Sequence, residues 1–213
     1  MSSVSVKVCG ITRVKDANLA LELGAEKLGL ILHEKSPRKI DFQGVKKFKT
    51  ELGLNSKQLV AVEVAPKIED VKEMVAQGFG YFQFHFPYDL SRKCIEDWAE
   101  MVGVENLWLA PRIPVGVDFP EDLLCFADTF LVDAYSEDKF GGTGKCSDWE
   151  QFSVWQKSFP SKKWILAGGV SPLNIQLAIK NTLVRIVDVN SGVEESPGVK
   201  DHSKLREFFM KIS

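Results

Sequence analysis

The segment VSVKVCGITRVKDANLALELGAEKLGLIL, residues 4–32, holds a complete strand, helix and second strand of the fold that the sequence predicts. An apolar run, Val4–Val8, is followed by a stretch of helical periodicity, DANLALELG, and by a second apolar run, Leu28–Leu32. Gly24 stands where a C′ glycine would end the helix. The segment therefore predicts one βα unit and the strand of the next.

The same unit recurs along the whole chain. Eight apolar runs predict strands at Val4–Val8, Leu28–Leu32, Leu59–Val64, Tyr81–Phe86, Leu107–Ile113, Thr129–Val132, Trp164–Ala167 and Val184–Val189. Helical periodicity follows each run, in DANLALELG, VKKFKTELG, IEDVKEMVAQG, CIEDWAEMVG, EDLLCFA, WEQFSVWQK, PLNIQLAIKN and KLREFFMKI. Gly53, Gly78 and Gly103 are placed to end helices, and Ser171-Pro172 predicts an N-cap followed by proline at N1.

Eight alternating βα units predict an α/β fold, a closed (β/α)₈ or TIM barrel formed as a single domain by residues 1–213. An open doubly wound sheet is the alternative. No Gly-x-Gly-x-x-Gly turn follows the first strand, which disfavours that alternative.

Composition narrows the class of protein. With 45% hydrophobic and 26% charged residues, the 213-residue chain reads as an ordinary soluble globular protein. A net charge of −2 gives no general basic field for nucleic acid or an anionic membrane. No apolar run approaches the roughly 18 residues of a membrane helix. The N-terminal MSSVSVKV lacks a signal-peptide pattern, so we expect a cytoplasmic protein.

The cysteines and histidines do not form a metal or disulfide pattern. Each is isolated in sequence, and no Cys-x-x-Cys pair occurs. We therefore expect no disulfide scaffold and no metal site. The residues are Cys9, Cys94, Cys125, Cys146, His33, His85 and His202.

Polar side chains gather where the predicted strands end. Because barrel active sites lie at the carboxyl ends of the strands, these residues predict the position of the site. They are Cys9, His33, Gln83, His85, Arg112, Asp133, Gly168, Gly169 and Asp188.

Side-chain alternation divides the first strand into two faces. Val6 and Val8 should meet the outer helices, which sends Lys7 and Cys9 into the barrel about 7 Å apart. A nearby ammonium would favour the thiolate. A buried, inert cysteine with Lys7 reaching solvent is an equally open interpretation.

Asp133 is the second candidate for acid–base chemistry. It follows Phe130–Val132, so its carboxylate must find partners or keep its proton. Capping of loop backbone is the alternative. Arg112 and Arg38 could contact substrate or be solvated charges.

Three glycine-containing stretches occur late in the chain. AGGVSP (167–172) and VNSGVEESPG (189–198) occupy the loops after strands seven and eight, where barrels commonly bind phosphate. The backbone amides of Gly169, Ser191 and Gly192 would be the donors. FGGTGK (140–145) is not a Walker motif and predicts a mobile loop over the site. The residues alone thus predict an enzyme acting on a small phosphorylated metabolite.

The chain also resembles a known family, the phosphoribosylanthranilate isomerases of tryptophan biosynthesis. The motifs that carry the resemblance occur in the family's order and span nearly the whole chain. They are VKVCGITRVKDA, LELGAEKLGLIL, KSPRKI, QFH, FLVDAY, GGTGK, LAGGVSPLNI and VDVNSGVEESPGVKD.

The resemblance implies an Amadori rearrangement of N-(5-phosphoribosyl)anthranilate to the 1-deoxyribulose 5-phosphate aminoketose, without cofactor or metal. It implies Cys9 as general base, Asp133 as general acid and Arg38 as the partner of the anthranilate carboxylate. We predict substrate contacts from Lys7, Arg38, Gln83, His85, Arg112, Gly142 and Asp188. We predict phosphate contacts from Gly168, Gly169, Asn190, Ser191 and Gly192.

The chain departs from the family pattern at a few positions. Phe86 stands where the family has glycine after the QLH-type histidine, and Glu63-Val64-Ala65-Pro66 stands where it has Phe-Val-Asn. Ser147 and Asn190 are further departures. They concentrate around the anthranilate half of the site.

Two other functions compete with this one. The related sugar-phosphate isomerase of histidine biosynthesis has aspartate at the position of Cys9, which argues against it. A non-catalytic or altered-specificity paralogue would follow if Phe86 and Pro66 blocked the pocket. The pattern fits a monomer or a homodimer equally.

Overall fold

The fold is a closed parallel barrel, described in a computed structural model over residues 4–114, 116–133 and 148–212. Each strand is hydrogen-bonded to its sequence neighbours, and the last barrel strand pairs with the first. The strands are β1 Ser5–Cys9, β2 Lys27–Ile31, β3 Leu59–Val64, β4 Tyr81–Pro87, β5 Leu107–Arg112, β6 Thr129–Val132, β7 Lys163–Leu166 and β8 Ile186–Val189. This confirms the predicted (β/α)₈ barrel.

Helices cover the outside of the barrel, and a small hairpin follows it. The α-helices of the described residues are α1 Val14–Glu22, α2 Phe42–Leu52, α3 Ile68–Ala76, α4 Arg92–Val102, α5 Trp149–Ser158, α6 Ile175–Thr182 and α7 His202–Ile212. Short 3₁₀ helices lie at Ser56–Gln58, Glu121–Cys125 and Ser191–Val193. The antiparallel hairpin consists of β9 Glu194–Ser196 and β10 Val199–Lys200.

The helix predicted from EDLLCFA is wrong. Between β5 and β6 the chain forms only the 3₁₀ turn Glu121–Cys125, which starts directly after Pro120. In place of a helix, the buried ring of Phe119 covers this side of the barrel. Its centroid lies 5.3 Å from Phe130 and 5.1 Å from Trp164. Aromatic packing therefore supplies the apolar burial that a helix would otherwise provide.

The predicted start of the seventh helix is also wrong. Helix α6 begins at Ile175 and not at Pro172, because Ser171 and Pro172 form a turn that Asn174 closes. The Asn174 Oδ1 atom accepts a hydrogen bond from the Ser171 backbone nitrogen at 2.9 Å, and its amide donates to the Gly169 carbonyl at 2.9 Å. The same asparagine thus fixes the loop that follows β7.

The two faces of β1 separate as the alternation predicts. Val6 and Val8 belong to the core between strands and helices, whereas Cys9 packs in the barrel interior. Lys7 is 1% exposed and lies on the same interior side. The interior apolar cluster consists of Cys9, Val60, Val62, Trp108, Ala110, Leu131, Ile165 and Ala167.

Candidate active site

A polar cavity opens at the carboxyl ends of the strands, where barrel active sites occur. It brings together ten of the predicted site residues: Cys9, Arg38, Gln83, His85, Asp133, Gly168, Gly169, Asp188, Asn190 and Ser191. Residues from distant parts of the chain therefore meet in one place.

Cys9 ends β1 and is 4% exposed at the floor of this cavity. Gly29 on the neighbouring strand leaves it room, because a Cβ there would lie 2.7 Å from the Cys9 Sγ atom and 2.9 Å from the Lys7 Nζ atom. The absence of a side chain at Gly29 thus lets both functional groups share the barrel interior.

Lys7 does not line the cavity but forms a buried ion pair behind it. Its Nζ atom lies 2.8 Å from the Asp188 Oδ2 atom. Burial alone would lower the pKa of Lys7, but Asp188 and Cys9 outweigh burial and raise it. Lys7 therefore stays protonated beside Cys9.

The Cys9 thiol has a pKa above its ordinary value. Burial is the largest cause, because it penalises the thiolate. The charge of Lys7 acts in the opposite direction, as the sequence suggested, but does not overcome burial. Lys7 thus favours the thiolate, as expected, but Cys9 keeps its proton to a higher pH than an ordinary cysteine, and its thiolate is a stronger base.

Asp133 follows β6 directly and reaches the same cavity from the far side of the barrel. Its side chain is half-buried. With Cys9 on β1, it gives the cavity one thiol and one carboxyl group on separate walls. Such an arrangement can add a proton at one atom of a bound molecule and remove one from another.

Gln83 and His85 alternate on the interior face of β4. The Gln83 Nε2 atom donates a hydrogen bond to the His85 Nε2 atom at 2.8 Å. Burial, followed by the charges of Lys7 and His33, lowers the pKa of His85 to about 4. The imidazole is therefore neutral near pH 7 and can exchange hydrogen bonds with a ligand without adding charge.

Arg38 reaches the cavity with its guanidinium already paired. Its Nη2 atom lies 2.7 Å from the Glu194 Oε2 atom, and its Nε atom donates to the same carboxylate at 2.9 Å. The hydrogen bonds to Glu194 are the largest cause that raises the pKa of Arg38. The predicted carboxylate-binding residue is therefore a permanent, oriented cation.

The loops after β7 and β8 meet at one edge of the cavity. Gly168 and Gly169 have φ values of +79° and +66°, conformations that favour glycine. Gly192 does not line the cavity, but a Cβ there would lie 2.0 Å from the Val170 carbonyl oxygen. Its role in the fold is to let the two loops touch.

Two other predicted residues, Arg112 and Gly142, are not part of the described cavity lining. Arg112 ends β5 at the same end of the barrel but lies outside the described lining of the cavity. Gly142, in the GGTGK stretch, lies outside the described residues.

Sequence reasoning assigned no role to Ser36 and Glu63, two polar residues of the cavity wall, and named His33 only as a strand-end residue. The His33 Nδ1 atom lies 2.6 Å from the Glu63 Oε1 atom. Both residues also line a second cavity, over the ends of β2 and β3. A signal for Glu63 was present in the sequence, because it is an acidic residue within an otherwise apolar run.

The departures at Phe86 and Pro66 do not block the cavity, because neither residue lines it. Phe86 is fully buried on the outer face of β4, with its ring 5.7 Å from that of Trp98. The Pro66 carbonyl accepts a hydrogen bond from the Trp98 Nε1 atom at 3.0 Å. Both residues serve packing against α4, so the basis for a blocked paralogue is removed.

The closed barrel defines a (β/α)₈-barrel protein, with a polar cavity among the loops at its strand ends as the candidate site. A family model described as N-(5'phosphoribosyl)anthranilate (PRA) isomerase matches residues 6–211. The chain belongs to this family. No helix among the described residues combines the length and apolarity needed to span a bilayer.

Individual relatives agree with the family model over nearly their full length. The N-(5'-phosphoribosyl)anthranilate isomerase of Petrotoga mobilis is 35% identical over 213 residues, which cover 99% of this chain and 97% of the relative. That of Aquifex aeolicus is 33% identical, with 98% of each chain covered.

Solved structures show the same similarity. Phosphoribosyl anthranilate isomerase from Thermotoga maritima matches with a TM-score of 0.79 and 28% identity over 98% of each chain. A phosphoribosyl anthranilate isomerase in complex with reduced 1-(o-carboxyphenylamino)-1-deoxyribulose 5-phosphate matches with a TM-score of 0.75 and 27% identity, again over 98% of each.

Proposed function

We propose that this protein is a phosphoribosylanthranilate isomerase of tryptophan biosynthesis. It converts N-(5-phosphoribosyl)anthranilate to 1-(2-carboxyphenylamino)-1-deoxyribulose 5-phosphate by an Amadori rearrangement. The observation that carries the proposal is the meeting of Cys9 and Asp133 in one cavity with the loops after β7 and β8, within a chain of this family.

The reaction needs one proton donor and one proton acceptor. Asp133, as general acid, protonates the furanose ring oxygen, and the C1′–O bond breaks to give the open-chain Schiff base. Cys9, as general base in its thiolate form, removes the C2′ proton. The C–H electron pair forms the C1′–C2′ double bond while the C=N electron pair moves onto the protonated nitrogen, which gives an enolamine. Ketonisation then moves a proton from the C2′ hydroxyl to C1′. Loss of the proton from Cys9 and its return to Asp133 through solvent restore both groups, so no atoms are gained or lost, as an isomerisation requires.

The environment of Cys9 supports the base role. Its raised pKa makes the thiolate, once formed, a strong acceptor for a carbon-bound proton. The buried, charged Lys7 beside Cys9 lowers the free energy needed to form this thiolate. We assign Lys7 to tuning Cys9, with any substrate contact still a prediction.

The polar floor supports binding of the ribose hydroxyl groups. Two buried acceptors there, Gln83 Oε1 and Asp188 Oδ1, have no hydrogen-bond partner within the described part of the chain. An unpaired buried acceptor costs about 1–3 kcal/mol, so hydroxyl donors of a substrate would stabilise this arrangement. We assign Gln83, His85 and Asp188 to this contact. Arg112 and Gly142 remain predicted contacts.

The two ends of the substrate carry the other negative groups. We assign the phosphate to the loops of Gly168, Gly169, Asn190, Ser191 and Gly192, and the anthranilate carboxylate to Arg38. Glycine-rich loops after the last two strands suit phosphate because backbone amides can approach it closely. We further propose a single domain over residues 1–213, a cytoplasmic location and a monomer or homodimer.

The competing functions have less support. The aminoaldose isomerase of histidine biosynthesis would have aspartate in place of Cys9. A non-catalytic paralogue would need a blocked or incomplete site, and Phe86 and Pro66 lie outside the cavity.

The proposal is tested by turnover of N-(5-phosphoribosyl)anthranilate, followed through the loss of its fluorescence. We expect Cys9→Ser and Asp133→Asn each to lower kcat by about two to four orders of magnitude, with a product analogue still bound. Absence of turnover at high enzyme concentration would contradict the function. Equal losses of binding and rate would contradict the catalytic roles.

A further inference from the structure

Two charged residues of the SGVEESPGVKD motif have no task in the mechanism above. Glu194 and Lys200 are 7% and 2% exposed, and neither lines the cavity. They lie on β9 and β10, the hairpin that follows the β8 loop. Buried charges are costly unless paired, so their partners indicate their role.

Glu194 holds one edge of the Arg38 guanidinium. Its carboxylate accepts from Arg38 Nε at 2.9 and 3.1 Å and from Nη2 at 2.7 Å. This side-on pair leaves Arg38 Nη1 without a hydrogen bond to any described residue. Because Arg38 lines the cavity, the remaining edge is available to a second carboxylate.

Lys200 connects Glu194 to Asn190, in the loop after β8. Its Nζ atom donates to Glu194 Oε1 at 3.0 Å, to Asn190 Oδ1 at 2.9 Å and to the Asn190 carbonyl at 3.2 Å. The Gly198 backbone nitrogen also donates to Glu194 Oε1, at 3.1 Å. One buried ion pair is thus bonded to both Arg38 and Asn190.

Gly10 brings this network against the proposed base. It follows Cys9 with φ of +68°, and a Cβ there would lie 2.5 Å from Asn190 Oδ1 and 2.8 Å from Arg38 Cδ. The side chains of Arg38 and Asn190 therefore pack against the backbone of Gly10, next to Cys9. A displacement of either residue changes the wall of the cavity beside the reacting atoms.

We propose that Glu194 and Lys200 are positioning residues: Glu194 aims the Nη1 edge of Arg38 at the substrate carboxylate, and Lys200 neutralises Glu194 while fixing Asn190. The cations Arg38 and Lys200 and the anion Glu194 together carry one net positive charge, which matches the single carboxylate of the anthranilate group. This inference rests on the proposed function.

A double-mutant cycle tests the coupling of Glu194 to Arg38. KM and kcat are measured for Glu194→Gln, Arg38→Met and the double variant, with N-(5-phosphoribosyl)anthranilate and with N-(5-phosphoribosyl)aniline, which lacks the carboxylate. We expect each single change to raise KM for the anthranilate about tenfold or more with a smaller effect on kcat. The double variant should lose no more than Arg38→Met alone, because Glu194 acts through Arg38. With the aniline substrate, KM should be unchanged by Glu194→Gln.

Matched variants separate positioning from loss of structure. Glu195→Gln, at the exposed neighbouring position, should leave KM unchanged. If Glu194→Gln fails to fold because the charge of the buried Lys200 beside Arg38 is no longer balanced, Glu194→Gln with Lys200→Met removes that excess charge and should show the same rise in KM.

Three outcomes would overturn the inference. An unchanged KM in a folded Glu194 variant, additive losses in the double variant, or an equal rise in KM for the aniline substrate would each do so. Absence of turnover by the unsubstituted protein would overturn the proposed function itself. The two failures are distinguishable, because the inference is judged only from variants of a protein that turns the substrate over.

Discussion

At the scale of single residues, the pKa of Cys9 sets how the proposed base behaves. Burial disfavours the thiolate, so less of it is present at neutral pH than for an ordinary cysteine. We predict that iodoacetamide modifies Cys9 slowly at neutral pH, with a midpoint of reactivity above the ordinary thiol pKa of about 8.5. Peptide mass spectrometry across a pH series measures this, with the exposed Cys125 as the internal reference.

The part played by Lys7 is separable from that of burial. Lys7→Met combined with Asp188→Asn removes both members of the ion pair, so no unpaired charge remains in the barrel. Because Lys7 opposes burial more strongly than Asp188 assists it, the midpoint for Cys9 should move still higher. A midpoint that moves lower would contradict the tuning role of Lys7.

At the scale of elements, the contact between the loops after β7 and β8 depends on one glycine. A Cβ at Gly192 would lie 2.0 Å from the Val170 carbonyl oxygen, which is backbone and cannot rotate away. We predict that Gly192→Ala separates the loops and raises KM for the phosphorylated substrate roughly 10- to 100-fold. Steady-state kinetics measure the effect.

Gly44 offers the matched control for this substitution. It lies in α2, where the nearest atom to an added Cβ is 3.4 Å away, an ordinary contact. Gly44→Ala should leave KM unchanged and slightly stabilise the helix. If both alanine variants behave alike, the loop contact is not what shapes the proposed phosphate site.

Local pattern predicts elements well where burial alone decides them. The runs Leu59–Val64 and Thr129–Val132 have the same bounds in the structure, because short, mainly apolar segments flanked by turns suit a strand of a parallel sheet. EDLLCFA failed because its spacing allows a helix, whereas Pro120 and the ring of Phe119 favour a short turn over an aromatic cluster. Tertiary packing overrides weak local preference there.

At the scale of the whole molecule, the prediction of strand-end residues located the cavity, because parallel strands bring their carboxyl ends to one edge. The partners of those residues were not predictable in the same way. Arg38 and Glu194 are separated by 156 positions, and Lys7 and Asp188 by 181. Only closure of the barrel between β1 and β8 brings such pairs together.

Barrel closure also bears on stability. Since β1 and β8 complete the same sheet, we predict that urea unfolds residues 1–213 in one transition at pH 7. We further predict that the free energy of unfolding falls as the pH drops below about 6.5. His85 has a folded pKa of about 4 against an ordinary 6.5, so the unfolded chain binds its proton first and is favoured by acid.

The size of this effect follows from the shift in the pKa of His85. The difference between the unfolded and folded pKa of His85 corresponds to about 3 kcal/mol in the free energy of unfolding. This stability is lost progressively as the pH falls from 6.5 to 4. Below about pH 4.5, protonation of Glu194 adds to the loss, because Arg38 and Lys200 hold its folded pKa below the ordinary value although burial would raise it. Urea titrations of the unsubstituted protein and of His85→Gln at several pH values measure both steps. In His85→Gln the free energy of unfolding should fall less between pH 6.5 and pH 4, because the contribution of this histidine is absent. An identical fall in both proteins would assign the effect to other groups.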